Sequence, residues 1–508
     1  MKSSEASATK SKSTTTSELR FKQFAVPWQP HAGQRKGMKF FLEHACAAML
    51  ADPGVGKTAI TLGAFKVLKK KGMANKALII APLKPCYLVW PKEIAKWKDF
   101  EHFTYTILHG PKKNEALKQD VDIYIINPEG LDWLLDAKKT RDARGRVSVT
   151  VDMAQFKAFG FDTLVVDELS KFKSTSSVRF KTLKHVLNTF SRRWGLTGSP
   201  APNGLLDLFG QCYILDQGRS LGQYITHYRN RFFIPSHDGF SWNLRKGADQ
   251  EIYERLDPLA CRLAASDYVD MPELVMNRIE FSLSPKVQLI YDQMEEDMIA
   301  KMDDNVIVAA NAASASMKCR QVANGGLYLD KGLANLAEEF KYNSKREFVD
   351  LHSDKIDLLE DLVDELQGSP LLVAYDFNHD LERLQKRFGE KVPYIGSGMS
   401  MSKVIELEKA WNKGEIPLLF GHPMSMGHGC NLQESGNHVA WFSMTWDYEL
   451  YDQFIRRVWR QGNKLKKVFV HHFIAKGTVD ESIWHALQHK EKSQTALLNS
   501  LRSMKKKR

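Results

Sequence analysis

The segment Ala51-Asp-Pro-Gly-Val-Gly-Lys-Thr58 carries the sharpest chemistry in the sequence, set between an apolar run at 47–50 and a helical pattern at 59–68. A strand, a turn holding Gly54 and Gly56, and a helix amino terminus together present backbone N–H groups to a polyphosphate. Lys57 then reaches the β and γ phosphates and the Thr58 hydroxyl ligates magnesium. The stricter pattern has glycine at the place of Ala51, and an ordinary Gly-rich turn is the plain alternative. Lys-Thr at a strand-to-helix switch favours the phosphate site, and by itself it indicates an NTPase without saying which. Farther along, Thr163-Leu-Val-Val runs into Asp167 and Glu168. A carboxylate at the carboxyl end of a strand can hold magnesium, here Asp167, while its neighbour Glu168 orients the attacking water. Acidic pairs at strand ends are common, so the pairing with the phosphate loop is what gives this one meaning.

Two further segments bear on chemistry. Thr197-Gly-Ser-Pro-Ala-Pro-Asn203 follows a short apolar run. Gly and Pro explain it as a strand-ending turn; alternatively, the hydroxyls of Thr197 and Ser199 couple a nucleotide to a track. In Gln453-Phe-Ile-Arg-Arg-Val-Trp-Arg460, Arg457 and Arg460 stand three apart, which on a helix puts them on one face. Such a pair is usually a solvated basic face, but a cation delivered to a γ-phosphate raises turnover by ~10³ to 10⁵.

The elements that must position these residues follow from the apolar pattern. Short buried-strand runs at 77–81, 123–126, 163–166 and 194–197 alternate with helical stretches, and a second series follows at 371–375, 417–420, 438–442 and 468–473, with a helix expected over 355–366. The fold class is therefore α/β, with two parallel-sheet lobes in tandem and a cleft between them. Residues 1–20 form a polar tail expected to be disordered, 21–216 the first, ATP-binding lobe, 217–285 a connector with some helix of its own, 286–489 the second lobe and 490–508 a basic tail. In this arrangement Lys57 and Glu168 of the front half meet Arg457 and Arg460 of the back half around one triphosphate.

A chain of 508 residues, 43% hydrophobic, is long enough for two cores. No apolar run approaches the ~20 residues of a membrane span, and the amino terminus lacks a signal-peptide core. The expected location is cytoplasmic, or the host cytoplasm for a viral chain. The six cysteines lie far apart, with no CxxC pair, which gives no pattern for structural zinc or a disulfide framework. The net charge of +12 sits mostly at the ends, +3 in residues 1–22 and +6 in 490–508. Charge alone therefore makes no case for nucleic acid.

Taken in order, these motifs resemble the sucrose-non-fermenting (Swi/Snf-like) family of DNA-dependent ATPases in helicase superfamily two, over about residues 28–484, in a compact form like its viral or bacterial members. Gln34 is similar to the family's adenine-reading glutamine, and the segment 77–97 to its next motif. Val166-Asp-Glu-Leu-Ser-Lys-Phe-Lys-Ser174 resembles the magnesium motif, and Leu196–Asn203 resembles LTGTP-x-x-N. Gly427-His-Gly-Cys-Asn-Leu-Gln433 looks like GxGxNL, and Trp446, Gln453, Arg457, Arg460 and Gly462 follow the spacing of the last motif.

The resemblance implies RecA-like lobes and ATP with Mg2+ as cofactors. It places Gln34, Gly54, Gly56, Lys57, Thr58, Asp167 and Gly429 at the nucleotide, gives Asn431 a coupling role beside Thr197 and Ser199, and implies Lys84, Asn127, Lys173 and Ser425 as track-facing residues. It also implies an ATP-dependent translocase on double-stranded DNA, working as a monomer, with a DNA-bound protein as possible client and no membrane partner. A strand-separating DNA or RNA helicase and a nucleotide-gated DNA-binding protein with little turnover are the alternatives. Two departures stand out: Ser170 where many members have the histidine of DEAH, and Asn463 where glutamine is usual. The first bears on how that motif contacts the segment Thr197–Asn203, and not on metal binding by Asp167 and Glu168.

Overall fold

The computed structural model describes residues 25–143, 147–236, 242–268, 270–303, 308–329, 341–343, 348–426 and 430–506. The polar tail expected over 1–20 lies outside them. Two parallel sheets organise the chain. The first contains β1 (Cys46–Ala51), β2 (Ala77–Ile80), β3 (Tyr105–Ile107), β4 (Ile123–Ile126), β5 (Thr163–Asp167), β6 (Arg192–Thr197) and β7 (Ala260–Leu263), in the order β7-β1-β6-β5-β2-β4-β3. The second contains β8 (Glu273–Ser282), β9 (Leu371–Ala374), β10 (Tyr394–Ile395), β11 (Leu418–Gly421), β12 (His438–Trp441) and β13 (Lys467–Lys476), in the order β8-β13-β12-β9-β11-β10. The fold is thus α/β with two RecA-like lobes.

By packing, the described chain divides into two units: residues up to Ala47 with Gly56–Asp167 and Lys181–Trp194, and Ala48–Val55 with Glu168–Phe180 and everything from Gly195 on. In the first unit β2 pairs in parallel with β4 and β5, Ala77 standing opposite Ile123 on one side and Thr163 on the other. All four residues of β2 and of β4 are buried. A strand buried on both faces must be apolar along its whole length, which is why these runs do not alternate. Helix α1 (Ala32–Glu43) buries Gly37, Phe40 and Phe41, and α2 (Lys57–Lys70) is buried all round from Ala59 to Phe65 and again at Leu68.

In the second unit β1 pairs with β7, Ala48 opposite Ala260, and the second sheet is parallel at each of its pairings. Its strands divide residue by residue between two cores. Leu371, Val373, Leu418, Phe420, Ala440 and Phe442 fill one, while Leu372, Ala374, Leu419, Val439 and Trp441 fill the other. The helices Val308–Asn324, called α3, and Asp354–Glu365, called α4, belong to this unit, as do α5 (Tyr448–Ile455) and α6 (Val479–Lys506). Lys355 of α4 makes a fully buried 2.7 Å ion pair with Asp480 at the start of α6 and also donates to Asn324 Oδ1 of α3 at 2.9 Å. No described helix is long and apolar enough to cross a membrane.

The expected strands fall within a few residues of these elements, and the expected helix at 355–366 is α4. The stretch 217–285 does more than connect, because it supplies β7 to the first sheet and β8 to the second. Both were hidden by charge. Arg262 interrupts β7 and pairs with Asp52 at 2.8 Å, and β8 is an edge strand whose residues alternate between half-buried and exposed. Edge strands carry charges that blunt their open side. Likewise the residues 490–506, expected as a tail, continue α6, in a segment with no glycine or proline to stop it.

Candidate active site

In the first unit, Gly56 ends the turn in the left-handed region (φ 87°, ψ 41°) and is the N-cap of α2 without supplying a capping side chain. The first-turn amides of such a helix point outward, the arrangement that receives an anion. Lys57 and Thr58 are its first two residues, both half-buried. Gln34 closes on this turn: a Cβ added at Gly56 would run into Gln34 Nε2. A capping box fixes Gln34, whose Oε1 accepts from His31 N at 3.2 Å while its own N–H donates to His31 Nδ1 at 3.4 Å. Asp167 ends β5 and its Oδ2 accepts from the fully buried Trp90 indole N–H at 3.0 Å. Sequence reasoning had Trp90 only as part of a motif, because 77 residues separate the partners. Nearby, burial first and the Asp167 charge second push the Cys86 thiol up to about 12. Of the residues expected to face a track, Lys84 is half-buried, whereas Asn127 is buried with its amide donated to Glu129 Oε2 at 2.8 Å.

The second unit gathers most of the remaining candidates. Gly54 (φ 91°) lies against Arg460, whose Cγ and Nε would be 3.5 Å from a Cβ built there. Arg460 Nη1 donates to Asn431 Oδ1. Arg457 is buried and held by carbonyls: Nε donates to Gln453 O at 2.8 Å and Nη1 to Cys430 O at 3.1 Å. Burial draws its pKa below the usual arginine range, opposed by neighbouring Cys430 and Glu168. Glu168 itself is in the left-handed region (φ 57°, ψ 63°), a conformation that costs a non-glycine residue ~1 to 3 kcal/mol.

The shared helix face expected for Arg457 and Arg460 is corrected here. Helix α5 stops at Ile455, and Arg457 and Val458 donate back three residues, to Phe454 O and Ile455 O, at 3.1 Å each. The Arg457 carbonyl accepts from Leu432 N at 3.0 Å, a tertiary bond that takes the place of the next helical one.

Thr197 is fully buried, its Oγ1 accepting from Ser199 N at 3.1 Å, and Ser199 Oγ lies 3.5 Å from Asp452 Oδ2. Asp452 also receives Arg456 Nε at 2.8 Å on both oxygens. Asp52, in the turn that follows β1, accepts from Arg262 at 2.8 Å and from Ala265 N at 2.9 Å. Burial raises its carboxyl, but the charges of Arg262 and Arg456 outweigh that and hold it below the usual carboxylate range. Nothing local in the sequence marks Arg456 for this role, because Asp52 belongs to a distant segment. Lys173 lies 3.8 Å from Asp207 and 3.7 Å from Glu449, and Ser425 is half-buried in the short helix Pro423–Met426. Gly429 lies outside the described residues.

Comparison with known proteins gives two family matches along the chain. Residues 33–331 match the SNF2-related domain and residues 354–462 the helicase conserved C-terminal domain. The chain is 33% identical over 469 residues to putative protein p41 of Acyrthosiphon pisum secondary endosymbiont phage 1, covering 89% of this chain and 94% of that one. It is 23% identical over 487 residues to the putative ATP-dependent helicase/translocase YwqA of Bacillus subtilis, covering 92% of this chain but only 48% of YwqA. Among solved structures, the Sulfolobus solfataricus SWI2/SNF2 ATPase core in complex with dsDNA aligns with a TM-score of 0.42 at 20% identity, over 92% of each chain.

Proposed function

The chain belongs to the SNF2-related family, with an SNF2-related domain followed by a helicase conserved C-terminal domain, and is a DNA-dependent ATPase; from that premise we propose that it couples ATP hydrolysis to translocation along double-stranded DNA and so remodels DNA or protein–DNA complexes. In this reading the turn at Gly54 and Gly56 and the start of α2 cradle the phosphates, with Lys57 reaching the β and γ groups and Gln34 beside the base. Thr58 and Asp167 would hold magnesium, which supplies charge neutralisation across the phosphates. Trp90 keeps the Asp167 carboxylate aimed by its indole hydrogen bond. Glu168 orients the attacking water, and Arg460, with Arg457 behind it, supplies cationic charge to the departing phosphate.

The observation that carries the reading is the meeting of motifs far apart in sequence within one unit: Arg460 against Gly54 of the phosphate loop, and Arg457 under the influence of Glu168. Contacts to DNA would run along the phosphate backbone, independent of base sequence and weakened by salt. The test is phosphate release measured side by side with duplex DNA, single-stranded DNA and RNA, together with displacement of a triplex-forming strand and unwinding of a forked duplex. Stimulation by duplex and triplex displacement without unwinding is the expected result. Robust unwinding would move the assignment to a strand-separating helicase.

A further inference from the structure

Ser170 stands two residues past Glu168, and nothing in the chemistry above uses it. Its hydroxyl is fully buried and donates to Glu449 Oε1 at 2.7 Å. The same oxygen accepts from Gln453 Nε2 at 3.2 Å, and Lys173 Nζ lies 3.7 Å from Oε2. Glu449 sits in the first turn of α5 and is only 6% exposed. A carboxylate taken out of water is costly unless it is paired and hydrogen-bonded, so three partners converging on this one mark a specified arrangement.

The neighbouring backbone explains what the arrangement specifies. Glu168 holds a left-handed conformation that a non-glycine residue keeps only when its surroundings fix it. The single turn that follows, Leu169–Phe172, does the fixing: Leu169 is buried so closely on Gly195 that an added Cβ there would meet Leu169 Cδ2 at 2.5 Å, Phe172 is fully buried, and Ser170 is tied to α5. We propose that Glu449 is a positioning residue for Glu168. By holding Ser170 it sets the posture of the water-orienting carboxylate, and by sharing its oxygen with Gln453 it puts that posture in register with the segment that carries Arg457 and Arg460. The inference rests on the ATPase reading above.

The test measures phosphate release by the full chain across ATP concentrations, with saturating duplex DNA, at a temperature where melting curves show every variant folded. Ser170→Ala and Glu449→Ala are each expected to lower kcat about tenfold while KM for ATP stays within about threefold. The double variant should lose no more than the worse single one. Ser170→Thr, which keeps the donor, and Glu449→Gln, which keeps the acceptor and the side-chain volume, should recover most of the loss. Single variants that turn over like the wild type, losses that multiply in the double variant, or a rise in KM alone would each overturn the positioning role. A wild-type chain without DNA-stimulated turnover would fail at an earlier point and take down the ATPase reading with it.

Discussion

Glu168 and the two arginines show how differently single side chains are committed in this molecule. Replacing Glu168 with glutamine should cut DNA-stimulated turnover by at least about a hundredfold with nucleotide binding retained, and Lys57→Ala should abolish turnover. Equilibrium binding of a fluorescent ATP analogue beside a phosphate-release assay checks both. Arg457 and Arg460 are expected to separate. Arg460 leans on Gly54, so Arg460→Ala should lower kcat by about 10³ or more and leave the melting temperature near that of the wild type. Arg457 satisfies two buried carbonyls, so Arg457→Ala should lower the unfolding free energy by about 1 to 3 kcal/mol, read from denaturant curves. What could be read from sequence at this scale was local: Lys57, Thr58, Asp167 and Glu168 each sit in a strand–turn pattern only a few residues long. The bonds that place them join residues 77 apart, in Trp90 and Asp167, or 279 apart, in Ser170 and Glu449, and no local pattern encodes such distances.

Among the elements, the strands were legible because burial on both faces forces uninterrupted apolar runs, as in β4. The edge strand β8 and the end of α5 were not, since one is half polar and the other is stopped by the tertiary bond from Leu432 to Arg457. Three adjacent strands of the second sheet also carry a pH-sensitive ladder. His471 of β13 lies between Asn277 of β8, 3.5 Å away, and His438 of β12, at 3.1 Å. Burial, and then the charge of His438, draw His471 down to about 4, while burial takes His472 down to about 3. Both lie below the unfolded value of about 6.5, so the unfolded chain binds more protons in between. Stability is therefore full above about pH 6.5 and is lost as the pH falls toward 4. Melting temperatures recorded across that range should fall, and His471→Gln should flatten the fall; an unchanged slope would reject the ladder as its origin.

For the whole molecule, the two series of apolar runs are legible in the sequence, whereas the way the first sheet is completed is not. β1, which leads into the turn holding Gly54 and Gly56, receives β7 as its outer neighbour, and 212 residues separate Leu50 from Arg262 where the two strands join. During synthesis the nascent chain must therefore carry that strand with one side open until codon 263 has been translated. An open strand side invites pairing with other chains. A fragment released just before Ala260 should self-associate, as seen by light scattering, while one released just after Leu263 should scatter less at equal concentration. The ribosome thus holds this ATPase with β1 unpaired on its outer side for much of its making, and a chaperone that shields this strand would be needed before, rather than after, the second sheet emerges.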